Sequence, residues 1–244
     1  MGSTQRRLVM QVARLFPDAV FYKETDQRVV ALTFDDVPTP HEPQDDSTGL
    51  ILDAIAAHNQ ALPPGIPPVQ ATFFVITSHL NGGDILRRME QEGHEIANHG
   101  IADDTTALQH PEIFSLQMRE AHRCLTTHTD QPIRWYRPGR GLYNQAMLET
   151  LRCFPGYERN FALASMLPVD TLKPTSDARF TAWYASQFIF PGSILLMHGG
   201  SRARSENTAA ALSALLQNLQ EQNYQATTLS QLWDLPLGNL SKTI

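Results

Sequence analysis

Four short, mostly apolar segments of this chain each run directly into a reactive side chain. Arg28-Val29-Val30-Ala31-Leu32-Thr33-Phe34 stops at Asp35-Asp36, and Glu95-Ile96-Ala97-Asn98 stops at His99. Ile133-Arg134-Trp135-Tyr136 stops at Arg137, and Ser193-Ile194-Leu195-Leu196-Met197 at His198. Runs of this length and composition read as buried strands, and Ala71-Thr72-Phe73-Phe74-Val75-Ile76 makes a fifth. Between them lie stretches of helical spacing. These predict a helix capped by Ser47 through Leu50, Ile51, Ala54 and Ile55, one through Ile85, Leu86 and Met89, and helices over 112–125, 144–151 and 206–220. A final turn falls at 229–233. Regular βα alternation without repeat or linker predicts one parallel α/β domain over 1–244, a barrel rather than an open sheet by length and chain order. In such a fold, polar residues just after the C-terminal strand ends converge on one site, so four such endings constrain the chain far more than one would.

Composition closes off other classes. With 244 residues, 42% apolar and 18% charged, the chain is ordinary globular material, neither disordered nor coiled-coil. A net charge of -6 argues against a nucleic-acid partner. No apolar run is long enough to span a membrane. The first residues hold Arg6 and Arg7 but no apolar stretch followed by a small-residue cleavage site, so no signal peptide is visible, and the compartment stays open because a trimmed chain would hide one. Cys124 and Cys153 are too few and too distant for a disulfide framework and are expected to be free thiols.

The strand ends carry chemistry in residue types as well as in position. Adjacent carboxylates at Asp35 and Asp36 cannot both be buried without a cation or donors, and one can hold a metal while the other takes a proton. The alternative has Asp36 capping a turn before Pro38 and Asp35 in solvent. His99 and Asp103, four apart, meet at one point if a helical turn or tight loop joins them, and imidazole plus carboxylate suits zinc or a neighbouring divalent ion. Otherwise His99 satisfies a backbone carbonyl, and Asp103 or Asp104 caps the next segment. Arg137-Pro138-Gly139-Arg140-Gly141 points to a guanidinium held towards a carboxylate with a bared backbone N–H beyond it, or else to a surface turn. His198 alone reads as structural and gains weight only from its companions.

In this order and spacing, from about Val29 to Trp233, the segments resemble the polysaccharide deacetylases of the NodB-homology type, carbohydrate esterase family 4. The resemblance implies a distorted (β/α) barrel with fewer regular units than a complete one. TFDDVP at 33–38 is similar to the family's first motif, which makes Asp35 the catalytic base and Asp36 a metal ligand. NHGIAD at 98–103 is similar to the second, adding His99 and Asp103 as ligands. YRPGRG at 136–141 resembles the third, in which Arg137 positions the base and the Arg140 backbone N–H helps bind the oxyanion. Pro168-Val169-Asp170 gives Asp170 the task of orienting the catalytic His. LLMHG at 195–199 makes His198 the general acid and places Leu196 in the acetyl-pocket wall. The implied cofactor is one divalent metal ion, zinc first, with cobalt, manganese or nickel as the other candidates. The implied substrate is an acetylated carbohydrate such as a chitin-like oligomer or peptidoglycan. The alternatives are hydrolysis of another amide, ester or cyclic amide, and a catalytically silent carbohydrate-binding relative.

The chain also departs from the pattern. Asp103 stands where a second His is usual, taking a site of one divalent cation, two carboxylates and one imidazole from a net +1 to neutral. A weaker Lewis acid with a modest preference for harder ions is expected, and Asp104 is the competing ligand. Val37 replaces a common Gly, Gly139-Arg140 a common Pro-Tyr, and Thr171-Leu172-Lys173-Pro174 the usual Asp and Trp after Asp170. These changes fall around the pocket wall, so the substrate does not transfer from the family. Arg140, Arg202 and Arg204 either gather at the mouth to prefer an anionic acceptor or lie scattered over the surface.

Overall fold

In a computed structural model, which describes residues 2–42, 44–172 and 177–238, the chain opens with helix α1 (Gly2–Leu15) and the short strand β1 (Ala19–Val20). There follow β2 (Val29–Val37), α2 (Asp46–Gln60), β3 (Thr72–Val75), α3 (Asp84–Gln91), β4 (Glu95–Asn98), α4 (Pro111–His128) and α5 (Gln145–Cys153). The second half holds β5 (Phe161–Ala162), α6 (Ala178–Gln187), β6 (Ile194–His198), α7 (Arg202–Glu221), β7 (Gln225–Thr227) and α8 (Leu229–Trp233).

Strand β2 is the axis of a parallel sheet ordered β4-β3-β2-β6, with β7 pairing its first residues, and β1 pairs separately with β5. Single backbone bonds carry the ring past the sheet. Asn98 N–H donates to Trp135 O (3.0 Å), Ala162 N–H to Tyr136 O (3.0 Å), Leu163 N–H to Val20 O (2.8 Å) and Ser165 N–H to Ile194 O (2.9 Å). The result is the distorted (β/α) barrel expected. The segment expected as a strand at 133–136 is reduced to one bridge, Asn98 with Tyr136, because Pro132 and Pro138 bracket it and neither has an N–H to give a ladder.

Inward-facing residues from successive strands fill the barrel: Val20, Ala31, Phe74, Ala97, Trp135, Ala162 and Ile194 form one buried cluster. Because side chains alternate along a strand, the face of β2 that carries Ala31 also carries Thr33 and Asp35, and that of β6 carries Ile194, Leu196 and His198. The barrel interior therefore leads straight up to the reactive side chains. Outside it, a larger apolar cluster packs the helices against the sheet, with Phe34 and Phe73 stacked at 4.9 Å between centroids.

Several boundaries differ from the sequence expectation. β2 continues to Val37, past both aspartates. α2 begins at Asp46, so Ser47 lies inside it and its N–H and hydroxyl both donate to the Glu42 carboxylate (2.9 and 2.7 Å). Helices α1 and α6 and strands β1, β5 and β7 were not legible, the strands being too short for a periodic pattern. Lys173 and Pro174, part of the divergent fourth motif, lie outside the described residues. Cys124 and Cys153 are free, and among the described residues no helix is long and apolar enough to cross a membrane.

Candidate active site

The register between β2 and β6 sets Asp35 directly opposite His198, and Gly199 N–H donates to Asp35 O (2.9 Å). Asp36 would ordinarily point to the other face of the strand. Instead the β2–β3 register shifts between Phe34 and Val37, and Asp36 takes the left-handed conformation (φ 66°), which turns its carboxylate towards the same end of the barrel. Gly200 makes this possible: it also has positive φ (74°), and a Cβ there would sit 2.6 Å from Asp36 Cβ. Both carboxylates are buried, at 5% and 8% exposure, so neither is a solvated turn residue.

Arg137 satisfies the first. Its Nη1 donates to Asp35 Oδ1 (2.5 Å) and Thr33 Oγ1 (3.0 Å), Nε donates to Ala162 O (3.1 Å), and Nη2 donates to Leu163 O (3.0 Å). The guanidinium lies 3.9 Å over the Phe74 ring. A buried cation with this many fixed acceptors is clamped, and it clamps Asp35 in turn. Thr33 went unnoticed in the sequence, although its position two residues before Asp35 puts it on the same face.

His99 and Asp36 form the second group. His99 Nδ1 donates to Arg137 O (2.8 Å), which leaves Nε2 facing Asp36 Oδ1 at 3.4 Å and Asp35 Oδ2 at 3.8 Å. Burial opposes the charged imidazole, but Asp35 and the Asp36 contact outweigh it, and the His99 pKa is raised. Burial likewise works against the Asp36 charge, yet His99, His198 and Arg204 hold its pKa below the usual carboxylate value. A buried carboxylate and an imidazole with Nε2 turned towards it are a donor pair that suits a divalent cation. Asp103 is exposed but lines the same cavity, which Asp104 does not; Asp104 instead sets its backbone carbonyl against Gly139, where no Cβ would fit. Among the described residues no three His, Cys, Asp or Glu side chains are already drawn together as a metal site.

Asp170 reaches His198 from a turn of 3-10 helix at Val169–Thr171, with His198 Nδ1 donating to its carboxylate at 2.9 and 3.0 Å. Both are buried. Burial alone would lower the imidazole pKa, but the hydrogen bond to Asp170, then its charge and those of Asp35 and Asp36, raise it overall.

Asp35, Asp36, His99, Asp103, Arg137 and His198 line one cavity of about 960 Å³. Arg140, Leu196 and Arg204 line it as well. Arg140 sits at the left-handed φ of 57° in the Gly139–Gly141 turn. Of the three arginines considered for the mouth, Arg202 is turned away to Glu206 (3.0 Å), while Arg204 Nη1 donates to Asp36 Oδ2 (3.1 Å).

A barrel whose strand ends assemble two carboxylates, a clamping arginine and two carboxylate-backed or carbonyl-backed histidines has the outline of a hydrolase site. The sequence model of the polysaccharide deacetylase family matches residues 22–155, and the chain belongs to that family. A chitooligosaccharide deacetylase of Bradyrhizobium sp. (strain ANU 289) is 30% identical over 226 residues, spanning 84% of this chain and 90% of that protein. Among solved structures, a peptidoglycan N-acetylglucosamine deacetylase in complex with a naphthyl-substituted N-oxidanyl-benzamide superposes with a TM-score of 0.74 at 23% identity, covering 93% of this chain and 99% of the other. A carbohydrate esterase family 4 pseudoenzyme from Bacillus anthracis superposes with a TM-score of 0.71 at 20% identity, covering 89% and 69%. These superpositions show a shared fold, and function lies in the site rather than in the fold.

Proposed function

We propose that the chain removes acetyl groups from N-acetylated sugars, chitin-like oligomers or peptidoglycan, by hydrolysis of the acetamide. The observation that carries this reading is the pairing of Asp35, held by Arg137, with His198, held by Asp170, across one sheet register at the floor of a cavity. Asp36, His99 and Asp103 are the residues that would hold a divalent ion, zinc first with cobalt, manganese or nickel as alternatives. Such an ion would supply a water of lowered pKa, towards about 7, and would polarise the acyl oxygen.

Asp35 takes the proton of the attacking water. Its hydrogen bond from Arg137 aims the carboxylate, and that positioning makes it the base. His198 must be charged to protonate the leaving amine, and Asp170 favours that form and fixes the ring. The Arg140 backbone, turned by its left-handed conformation, is the donor proposed for the developing oxyanion, and Leu196 walls the methyl of the acetyl group.

Acetate release from N-acetylglucosamine oligomers and from peptidoglycan, measured after loading with each metal, tests the proposal. Turnover by the wild type and a loss of about 10²–10⁴-fold in Asp35→Asn are expected. Equal turnover by that variant removes Asp35 as base. The exposure of Asp103 and the Arg204 contact on Asp36 favour a second reading, a silent carbohydrate-binding relative. Sugar binding without acetate release under every metal would establish it.

A further inference from the structure

The cavity is lined by side chains of two unlike kinds. Beside the charged groups already described, its lining holds apolar side chains from several elements, among them Leu8 and Val12 of α1, Phe16, Leu142, Leu167 and Phe188. Leu8, Phe16, Leu142 and Leu167 are large apolar residues left exposed, at 56%, 49%, 50% and 71%. Exposed apolar side chains gathered on one concavity mark a ligand surface rather than scattered surface residues.

Apart from Tyr143, the hydroxyl groups of this lining already have partners. Ser165 Oγ donates to Phe21 O (2.7 Å) and accepts from Ile194 N–H (2.9 Å), Thr171 Oγ1 donates to Pro168 O (2.7 Å), and Tyr184 OH accepts from Leu167 N–H (3.3 Å). Sugar hydroxyls laid here would lose water and gain few partners, which makes a polysaccharide chain a poor occupant. A hydrocarbon chain has no such cost and is held in proportion to the area it buries. The apolar side chains line the same cavity as Asp35, Asp36, His99 and His198, so chain and scissile acetamide belong to one molecule.

We infer that the substrate is an amphiphile: an acetylated amino sugar whose acetamide reaches the charged groups and whose attached alkyl or acyl chain lies against the wall formed by α1, Leu142 and Leu167. This rests on the deacetylase reading and narrows it.

The test compares the octyl and methyl β-glycosides of di-N-acetylchitobiose below micelle-forming concentration, and measures calorimetric binding of octyl β-glucoside, which has no acetamide. The variants are Leu8→Asn and Leu142→Asn, both half exposed and outside the catalytic groups. A kcat/KM at least about tenfold higher for the octyl glycoside, arising in KM and lost in both variants, is expected. Equal kcat/KM for the two glycosides overturns the inference and leaves the deacetylase reading standing. No acetate from either, with octyl β-glucoside binding abolished by the variants, overturns the deacetylase reading and keeps the apolar site. Neither turnover nor binding overturns both.

Discussion

Arg204, in the first turn of α7, donates from Nη1 to Asp36 Oδ2 across 3.1 Å. It places a positive charge on the carboxylate proposed as a metal ligand. With Asp103 standing where the family commonly has His, a divalent site of Asp36, His99 and Asp103 is neutral; the adjacent guanidinium brings the local sum back to +1. A like charge at that distance also opposes the ion. Arg204→Gln is expected to tighten zinc binding by about fivefold, the equivalent of about 1 kcal/mol for a partly exposed pair, while lowering the rate of acetate release. Titration calorimetry reads the first effect directly. Unchanged or weaker zinc affinity would remove Arg204 from this role.

Asp103 and Asp104 separate cleanly by the same measurement. Asp103 lines the cavity, whereas Asp104 contributes its backbone carbonyl to the packing of Gly139. Asp103→Ala should weaken metal binding more than about tenfold, and Asp104→Ala should leave it close to wild type. The reverse order would transfer the ligand role to Asp104.

Arg137 differs from an ordinary salt-bridge partner in holding four acceptors at once, two of them backbone carbonyls at the point where β5 closes the barrel. Lysine retains the charge but cannot fork to these positions. Arg137→Lys should therefore lower acetate release about as strongly as Asp35→Asn, by about 10²–10⁴-fold, with little change in metal affinity. Arg137→Ala should in addition cost about 3–5 kcal/mol of stability in denaturant unfolding, since it leaves a buried carboxylate unpaired. Wild-type turnover in Arg137→Lys would show that Asp35 needs no clamp.

The strand ends made most of this site legible. Asp35, Arg137 and His198 each terminate an apolar run, and a parallel barrel leaves such residues little choice but to meet. Three things were not readable. The left-handed turn at Asp36 that brings two successive side chains into one site depends on a register shift against β3 and on Gly200, 164 positions further along the chain. The barrel closes through isolated hydrogen bonds at Tyr136, Ala162 and Ser165, which leave no pattern in the sequence. The apolar wall draws on α1, read only as a chain start, and on loops without periodicity. In each case the information lies in contacts between distant segments rather than in local propensity.

The Asp170–His198 pair makes a pH prediction of definite sign. In the proposed role His198 acts protonated; its pKa is raised, and activity should fall as pH rises through that value. Asp170→Asn removes the charge that supports the imidazolium while keeping an acceptor for Nδ1. The alkaline limb of the kcat profile should move to lower pH, whereas zinc affinity should change little. A limb that stays in place in Asp170→Asn would assign it to a group other than His198.

His94 supplies a titration remote from the proposed chemistry. It is buried beside the start of β4, accepts from Ala71 N–H at Nδ1 (3.3 Å), and packs edge-on against Phe73. Burial, reinforced by the Arg88 charge, pushes its pKa from 6.5 down to about 4. The unfolded chain therefore takes up the proton first as pH falls. Stability from this residue is complete above about pH 6.5, declines towards pH 4, and levels off below it, a loss of about 3 kcal/mol. His94→Asn keeps an acceptor for the Ala71 N–H without a group that titrates in this window. Urea unfolding at pH 7 and pH 4 should show a smaller acid loss in the variant than in the wild type, by about that amount. An identical pH dependence in the two proteins would mean that His94 accepts its proton without unfolding.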